Sequence, residues 1–324
     1  MSNYFNPQFA SIDLELKQLN ENLQKMVIAE HPVLYAAAEQ LFSAGGKRIR
    51  PTILLLIAKL VSKTQKISSE QKRLAEITEI IHTASLVHDD IIDNSDTRRG
   101  IKTVHSTFNN KIAVLAGDFL FAQSSWYLAN LNNSNVIKII SKVITDFAEG
   151  EVQQGMRSFD YTITIEDYIE KSFYKTASLL ACSCKAITIL EIDNNYTKND
   201  FYSYGKHIGL AFQIIDDILD IIGSTEILGK PAGSDITNGN LTAPLIFALE
   251  ERPELIQFVN QEISNQKKIQ TIIKYIKETR GIQKAKDLAK EHIQLAIHII
   301  HTRYSQEEIK DLLLISYYIL DRIN

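Results

Sequence analysis

Apolar side chains recur with a helical rhythm along almost the whole chain. Between residues 11 and 28 they fall at Ile12, Leu14, Leu16, Leu19, Leu23 and Val27, a spacing that marks the buried side of a helix. Pro32 opens a second predicted helix in its first turn, and Gly45-Gly46 closes it. Pro51 starts a third, with its apolar run at 53–61. The same rhythm predicts helices over about 69–94, 117–129, 136–159, 165–190 and 200–222, and shorter ones from Pro244 to the end. Stretches 75–87 and 177–190 are apolar on more than one side, which places them in the middle of a bundle.

The breaks are few. Residues 45–50 form a basic turn, 94–110 are polar and carry Arg98-Arg99-Gly100, and 223–240 are rich in Gly, Ser, Pro, Asp and Asn. No linker is long or biased enough to separate domains, and there is no low-complexity tract or short repeat. The expected architecture is all-α, one domain of many helices over residues 1–324. Composition agrees: only 13 glycines and 6 prolines in 324 residues leave little for a loop-rich β fold.

Charge narrows the function. A net charge of −4 argues against a nucleic-acid surface. An anionic substrate would therefore need local arginines and lysines, or metal ions. Cys182 and Cys184 are the only cysteines, and two residues apart on a helix their side chains diverge, so they are read as small hydrophobes in a reducing compartment. The first 25 residues lack the apolar stretch of a signal peptide, and Asp13 and Glu15, with no arginine before Arg48, disfavour a transit peptide. No uninterrupted apolar run is long enough for a membrane span.

The chemistry concentrates in two acidic clusters, Asp89-Asp90-Ile91-Ile92-Asp93 and Asp216-Asp217-Ile218-Leu219-Asp220. On a helix, Asp89 and Asp93 share one side, with about 6 Å between them along the axis, and Asp90 lies about 100° round. Three carboxylates so close repel one another unless a cation separates them. Magnesium takes hard oxygen ligands and commonly joins a few carboxylates to phosphate and water. One such cluster is also what a solvated acidic helix end looks like. Two of identical spacing, each after apolar residues (Ala84, Leu86, Val87; Ala211, Phe212, Ile214, Ile215), are hard to explain that way. Gln213 lies one turn before Asp216. Lys47, Arg48 and Arg50 put three positive charges in a glycine-led turn, and Arg98-Arg99 follow the first cluster. Guanidinium forks match phosphate oxygens, and lysine adds a point charge. Lys175-Thr176 lie mid-helix in an apolar stretch, where a lysine wants an anion. Taken alone, His82 reads as a core histidine; His88 is read as structural, and the tyrosines and phenylalanines as core.

In this order these residues resemble the trans-isoprenyl diphosphate synthase (polyprenyl synthetase) family. The elements are Gly45 to Pro51, His82, Asp89 to Asp93, Arg98-Arg99-Gly100, Gly117-Asp118, Lys175 to Ser178, Gln213 to Asp220 and Gly229-Lys230-Pro231. The nearest likeness is to the cyanobacterial and plastid long-chain branch that includes solanesyl diphosphate synthases. The resemblance implies a bundle around a deep central cavity, a homodimer, and condensation of isopentenyl diphosphate with an allylic diphosphate on Mg2+. It implies that Lys47, Arg50, His82 and Arg99 hold the isopentenyl diphosphate. Asp89, Asp93, Asp216 and Asp220 would hold magnesium, and Arg98, Lys175, Thr176, Gln213 and Lys230 the allylic or leaving diphosphate. Asp217, with Lys175 and Gln213, is counted among the catalytic groups. One departure stands out: many members carry lysine where this chain has Asn240.

The implied reaction breaks a carbon–oxygen bond, and metal and cationic side chains stabilise the leaving diphosphate. The double bond of isopentenyl diphosphate then attacks the allylic cation. Ala84 and Ser85 lie about one turn before Asp89, where short-chain relatives place bulky aromatics, so the growing tail is expected to pass them. Ile80, Ile81 and Ile77 would line deeper turns, with Phe121 and Trp126 at the floor. A long, solanesyl-like product for quinone side chains is expected. The alternatives are a shorter, geranylgeranyl product, a terpene cyclase, or a non-catalytic subunit of a heteromeric synthase. A cyclase would carry a different second metal motif and lack the Lys47/Arg50 site, and a regulatory subunit would have lost one cluster. The Ile-, Lys- and Asn-rich composition points to an A/T-rich genome, hence an organelle-encoded plastid stroma protein or one of a bacterial cytoplasm.

Overall fold

Several of the helices begin where the sequence supplies a side-chain cap. The computed structural model describes residues 7–43, 45–98, 100–157, 159–192, 194–223, 232–259 and 266–323. A 3-10 turn, Pro7–Ile12, leads into α1 (Asp13–Met26), α2 (Pro32–Ser43), α3 (Ile49–Val61) and α4 (Ser69–Ile92). A two-residue hairpin, β1 (Thr97–Arg98) and β2 (Ile101–Lys102), pairs Thr97 with Lys102. Then come α5 (Val104–Thr107), α6 (Asn110–Ala129), α7 (Ser134–Met156) and α8 (Ile165–Ser172), a π-helical turn (Phe173–Ala177), and α9 (Ser178–Ile189). The rest is α10 (Asn195–Ile222), α11 (Ser234–Thr237), α12 (Ala243–Glu251), α13 (Ile256–Val259), α14 (Gln266–Glu278), α15 (Gly281–His301) and α16 (Lys310–Asp321). The fold is all-α; among the described residues the hairpin is the only strand pairing.

Ser68 and Gln71 close a capping box at the head of α4, and Thr164 and Asp167 do the same for α8. α6 begins seven residues before the expected start at Gly117, because Asn109 Oδ1 accepts from Ile112 N at 2.9 Å and caps it there. Gly117 is a close-approach residue instead: a Cβ there would strike the His88 ring of α4. The expected 165–190 helix is interrupted by the π-helical turn, and α7 ends at Met156, three residues before the expected Phe159.

The chain forms two compact units. The first holds 1–144, 179–205 and 300–315, and its centre is α4 against α3 and α6. Ile77, Ile80, Ile81 and Ala84 on α4 are fully buried, as are Ile53, Leu54 and Ile57 on α3. Thr78 and Ser183 share a hydroxyl hydrogen bond of 3.0 Å inside this core. The second unit holds 145–178, 206–299 and 316–324, with Ala211, Ile214, Ile215 and Ile218 of α10 fully buried. Cys182 and Cys184 are buried free thiols. By length and composition α6 alone among the described helices could cross a membrane, a run the polar breaks Lys111 and Asp118 had hidden. It packs along α4 and exposes Val114, Leu115 and Trp126 on its outer side, with Lys111 and Asp118 among them. Trp126 is 61% exposed, so the expectation that it floors a cavity is corrected: it lies on the outer side of a turn whose next residue, Tyr127, meets Arg73 of α4.

Candidate active site

The basic turn before α3 divides its charges. Arg48 has φ 48°, a left-handed conformation that turns its side chain inward. Only 7% exposed, it donates from Nη1 to Glu79 Oε1 at 2.6 Å and from Nε to Asn20 Oδ1 at 3.1 Å. It is therefore an anchor, and the turn presents Lys47 and Arg50 instead. Lys47 is exposed. Arg50 Nη1 lies 2.9 Å from His82 Nε2, so two of the expected isopentenyl diphosphate residues meet. Arginine has no acceptor, so Nε2 accepts and the imidazole keeps its proton on Nδ1.

At the end of α4, Asp93 is the C-terminal cap, and its N–H donates to Asp89 O at 2.8 Å. The two carboxylates are thus one turn apart on the rim of the helix, each half-buried. Asp90 points inward, 3% exposed, and pairs with Arg98 Nε at 2.7 Å. Burial raises the Asp90 carboxyl above its ordinary pKa against the pull of Arg98. Arg98, expected at the allylic diphosphate, thus spends its Nε on holding the hairpin to α4. Ala84 is fully buried and Ser85 half-buried, its hydroxyl donating to His82 O at 2.9 Å. Arg99 lies outside the described residues.

The second cluster sits on α10. A Cβ on Gly209 would come within 2.6 Å of Ala177 Cα, so only glycine lets α10 approach the π-helical turn this closely. One turn further on, Thr176 Oγ1 donates to Gln213 Oε1 at 2.6 Å, and Gln213 Nε2 donates to Asp217 Oδ1 at 2.7 Å. The Tyr168 hydroxyl donates to the other oxygen, Oδ2, at 2.6 Å. Burial, reinforced by Asp235, pushes the Asp217 carboxyl up to about 8, against Tyr168, Lys171 and Gln213. Burial also pushes Tyr168 well above its usual value, so it remains a donor. Asp217 is the hub of a buried network, and Asp216 beside it is the exposed carboxylate of the cluster, its side chain 40% accessible. Asp216 Oδ1 accepts from Arg322 Nη2 at 2.6 Å.

Asp220 is 2% exposed and turned to α11: Ser234 Oγ donates to Oδ1 at 2.9 Å and Asp235 N to Oδ2 at 3.3 Å. To hold a metal it would have to be released by that turn. Lys175, in the π-helical turn, pairs with Glu151 Oε1 at 2.8 Å and reaches Gln154 Oε1 at 3.4 Å. π-helical turns widen a helix locally and are frequent at functional sites. Asn240 donates its backbone N–H to Asp235 O at 2.8 Å. Lys230 lies outside the described residues.

Among the described residues no three His, Cys, Asp or Glu side chains converge as a ready-made metal centre. Magnesium does not require one, since it keeps waters and binds through one or two carboxylates with substrate phosphates. The paired rim carboxylates Asp89 and Asp93, and the exposed Asp216, have the hard oxygen donors for that mode. Tyr168, Glu151, Asp235 and Arg322 were missed from the sequence. No local pattern marks them, and each reaches the site from another segment.

Comparison with known proteins agrees with the motifs. The polyprenyl synthetase model matches residues 31–278. A prenyl transferase of Porphyra purpurea is 56% identical over 98% of both chains. The chloroplastic solanesyl-diphosphate synthase 2 of Oryza sativa subsp. japonica is 50% identical over 87% of this chain and 71% of its own. The crystal structure of a polyprenyl synthase from Caulobacter crescentus CB15, complexed with calcium and isoprenyl diphosphate, superposes with a TM-score of 0.92. It is 29% identical and covers 98% of this chain and 97% of its own.

Proposed function

The chain belongs to the polyprenyl synthetase family and is a prenyltransferase, and from that premise we propose that it condenses isopentenyl diphosphate with an allylic diphosphate to give a long, solanesyl-type chain. The observation that carries this reading is the pair of aspartate clusters, each closing a helix whose preceding turns are buried and apolar. Ile80, Ile81, Ala84 and Val87 precede Asp89, and Ala211, Ile214 and Ile215 precede Asp216. Acidic rims on dry helices suit a diphosphate head and a hydrocarbon tail.

Asp89, Asp93 and Asp216 would hold magnesium, with Asp220 joining if α11 yields it. The metal would supply charge to the leaving diphosphate where negative charge develops. The remaining work falls to the chain. Lys47, Arg50 and His82, with Arg99, hold the diphosphate of isopentenyl diphosphate. Lys175, Thr176, Gln213, Arg98 and Lys230 address the allylic one. The Thr176–Gln213–Asp217–Tyr168 network fixes Gln213 and seats Asp216 by rigidifying its neighbour. Buried aliphatic turns below Asp89 keep water from the allylic cation. Ala84 and Ser85, small side chains about one turn before Asp89, leave the tail's path open.

Two copies are proposed to associate through the outer side of α6, where Val114, Leu115 and Trp126 would otherwise face water. The relatives named above suit a plastid or cyanobacterial-type setting. The deciding experiment supplies labelled isopentenyl diphosphate with geranyl, farnesyl or geranylgeranyl diphosphate, with magnesium or a chelator, and separates the products by chain length. Long products that need the metal are expected. Turnover undiminished by chelator, or products that stop at geranylgeranyl, would overturn the reading.

A further inference from the structure

Arg322 comes from the far end of the chain, just beyond α16, and is seated among residues of α10. Its Cζ lies 4.6 Å from the centroid of the Phe212 ring, one turn before Asp216, and its side chain is only 16% accessible. Nη2 donates to Asp216 Oδ1 at 2.6 Å. Nη1 is buried and meets no hydrogen-bond acceptor among the described residues. The last turn is tied down separately: Lys286 Nζ donates to Ile323 O at 3.1 Å, and Ile323 is buried.

This arrangement is half complete. A guanidinium satisfies a carboxylate best with two parallel donors, yet only one of these is used here. A charged donor buried without an acceptor is costly, so the group is poised to take another oxygen. Asp216, for its part, is the exposed carboxylate of the second cluster and already has a positive charge on one oxygen. We infer that Arg322 is a positioning residue that stands in for a cation at Asp216 while the site is empty. When a diphosphate arrives with its metal, Arg322 turns its unused donor to a diphosphate oxygen and yields Asp216 to the ion. This rests on the reading of Asp216 as a metal ligand given above. The consequence is ordered loading: the second cluster binds cations poorly alone and well together with diphosphate, so the metal arrives with the group it must stabilise.

The test uses the full-length protein, Mn2+ followed by electron paramagnetic resonance, and inorganic diphosphate. Arg322→Gln keeps shape and removes charge. Without diphosphate it should bind Mn2+ about threefold more tightly than the parent, because a partly exposed competing charge is gone. With diphosphate it should bind the ternary complex about tenfold more weakly, because a charge-assisted hydrogen bond is lost. Arg322→Lys, which keeps the charge as a single point, should leave the first constant unchanged and weaken the second. Lys286→Ala loosens the same chain end without touching Asp216, and should lower the melting temperature while moving neither constant. Equal shifts in both states for Arg322→Gln, or the same pattern in Lys286→Ala, would overturn the exchange. Should Arg322→Gln not fold, Arg322→Lys decides alone, an unchanged ternary constant counting against the inference. If the parent binds no Mn2+ even with diphosphate, the reading of the second cluster fails instead.

Discussion

Replacing Arg48 by methionine isolates what the basic turn contributes to stability from what it contributes to binding. The guanidinium is 7% exposed and is the partner of Glu79, whose side chain is 5% accessible. Methionine fills much of the same volume but leaves the carboxylate buried and unpaired, together with the acceptors Asn20 Oδ1 and Phe42 O. Breaking one side of a buried ion pair costs about 3–5 kcal/mol. With an unfolding entropy of about 0.7 kcal/mol/K for a chain of this length, that lowers the melting temperature by about 4–7 °C. Arg48→Met combined with Glu79→Leu removes both charges and should return to within about 1 kcal/mol of the parent, because an apolar pair of similar size replaces the ionic one. The assay is urea denaturation followed by circular dichroism at pH 8. A deficit below about 1 kcal/mol at pH 8, or a double variant no more stable than the single one, would refute the assignment of Arg48 as a buried anchor.

Arg50→Ala should mainly raise the apparent KM for isopentenyl diphosphate and Lys175→Ala that for the allylic substrate, each by about tenfold to a hundredfold for a lost charge-assisted contact; steady-state kinetics with each substrate varied checks the division. Ala84→Phe adds a ring at a fully buried position, with an overpacking cost of about 1–3 kcal/mol, and should give products of three or four isoprene units at a comparable initial rate, read by chromatography. Trp126→Lys on the exposed side of α6 should convert a dimer into monomers in sedimentation experiments, and an unchanged sedimentation coefficient would place the interface elsewhere. His207 and His292 lie with their Nδ1 atoms 2.9 Å apart, and burial first, then neighbouring positive charge, lowers both to about 4. The unfolded chain, titrating near 6.5, binds more protons between those values, so stability should fall as pH drops from about 6.5 to 4. In His207→Gln/His292→Gln that slope should flatten, as melting temperature against pH will show.

The regions of the site that sequence reading reached are those whose signal is local. Asp89 and Asp93 are four apart on one helix, so their shared rim follows from helix geometry alone, and the structure puts them there. The spacing aligns Gln213 with Asp216, three positions on, whereas its amide donates to Asp217, four positions on, at 2.7 Å. What the spacing could not say is which carboxylate of a cluster faces outward. Asp90 turns in and pairs with Arg98, and Asp217 turns in and accepts from Tyr168 and Gln213, whereas Asp216 turns out. The same limit applies to Lys47-Arg48-Arg50, where three adjacent charges read alike and a single left-handed φ at Arg48 sends one inward. Gly117 misled for a related reason. A glycine is read as a helix boundary, but here it is the place where the His88 ring needs room, which depends on another helix. Arg322 shows the limit most plainly, since it completes Asp216 from 106 positions away and no motif contains both. In an all-α fold the local rhythm determines which side of each helix is dry. Partners at the ends of those helices are set by packing between segments, and these are the residues that decide which of the acidic groups is left to bind a ligand.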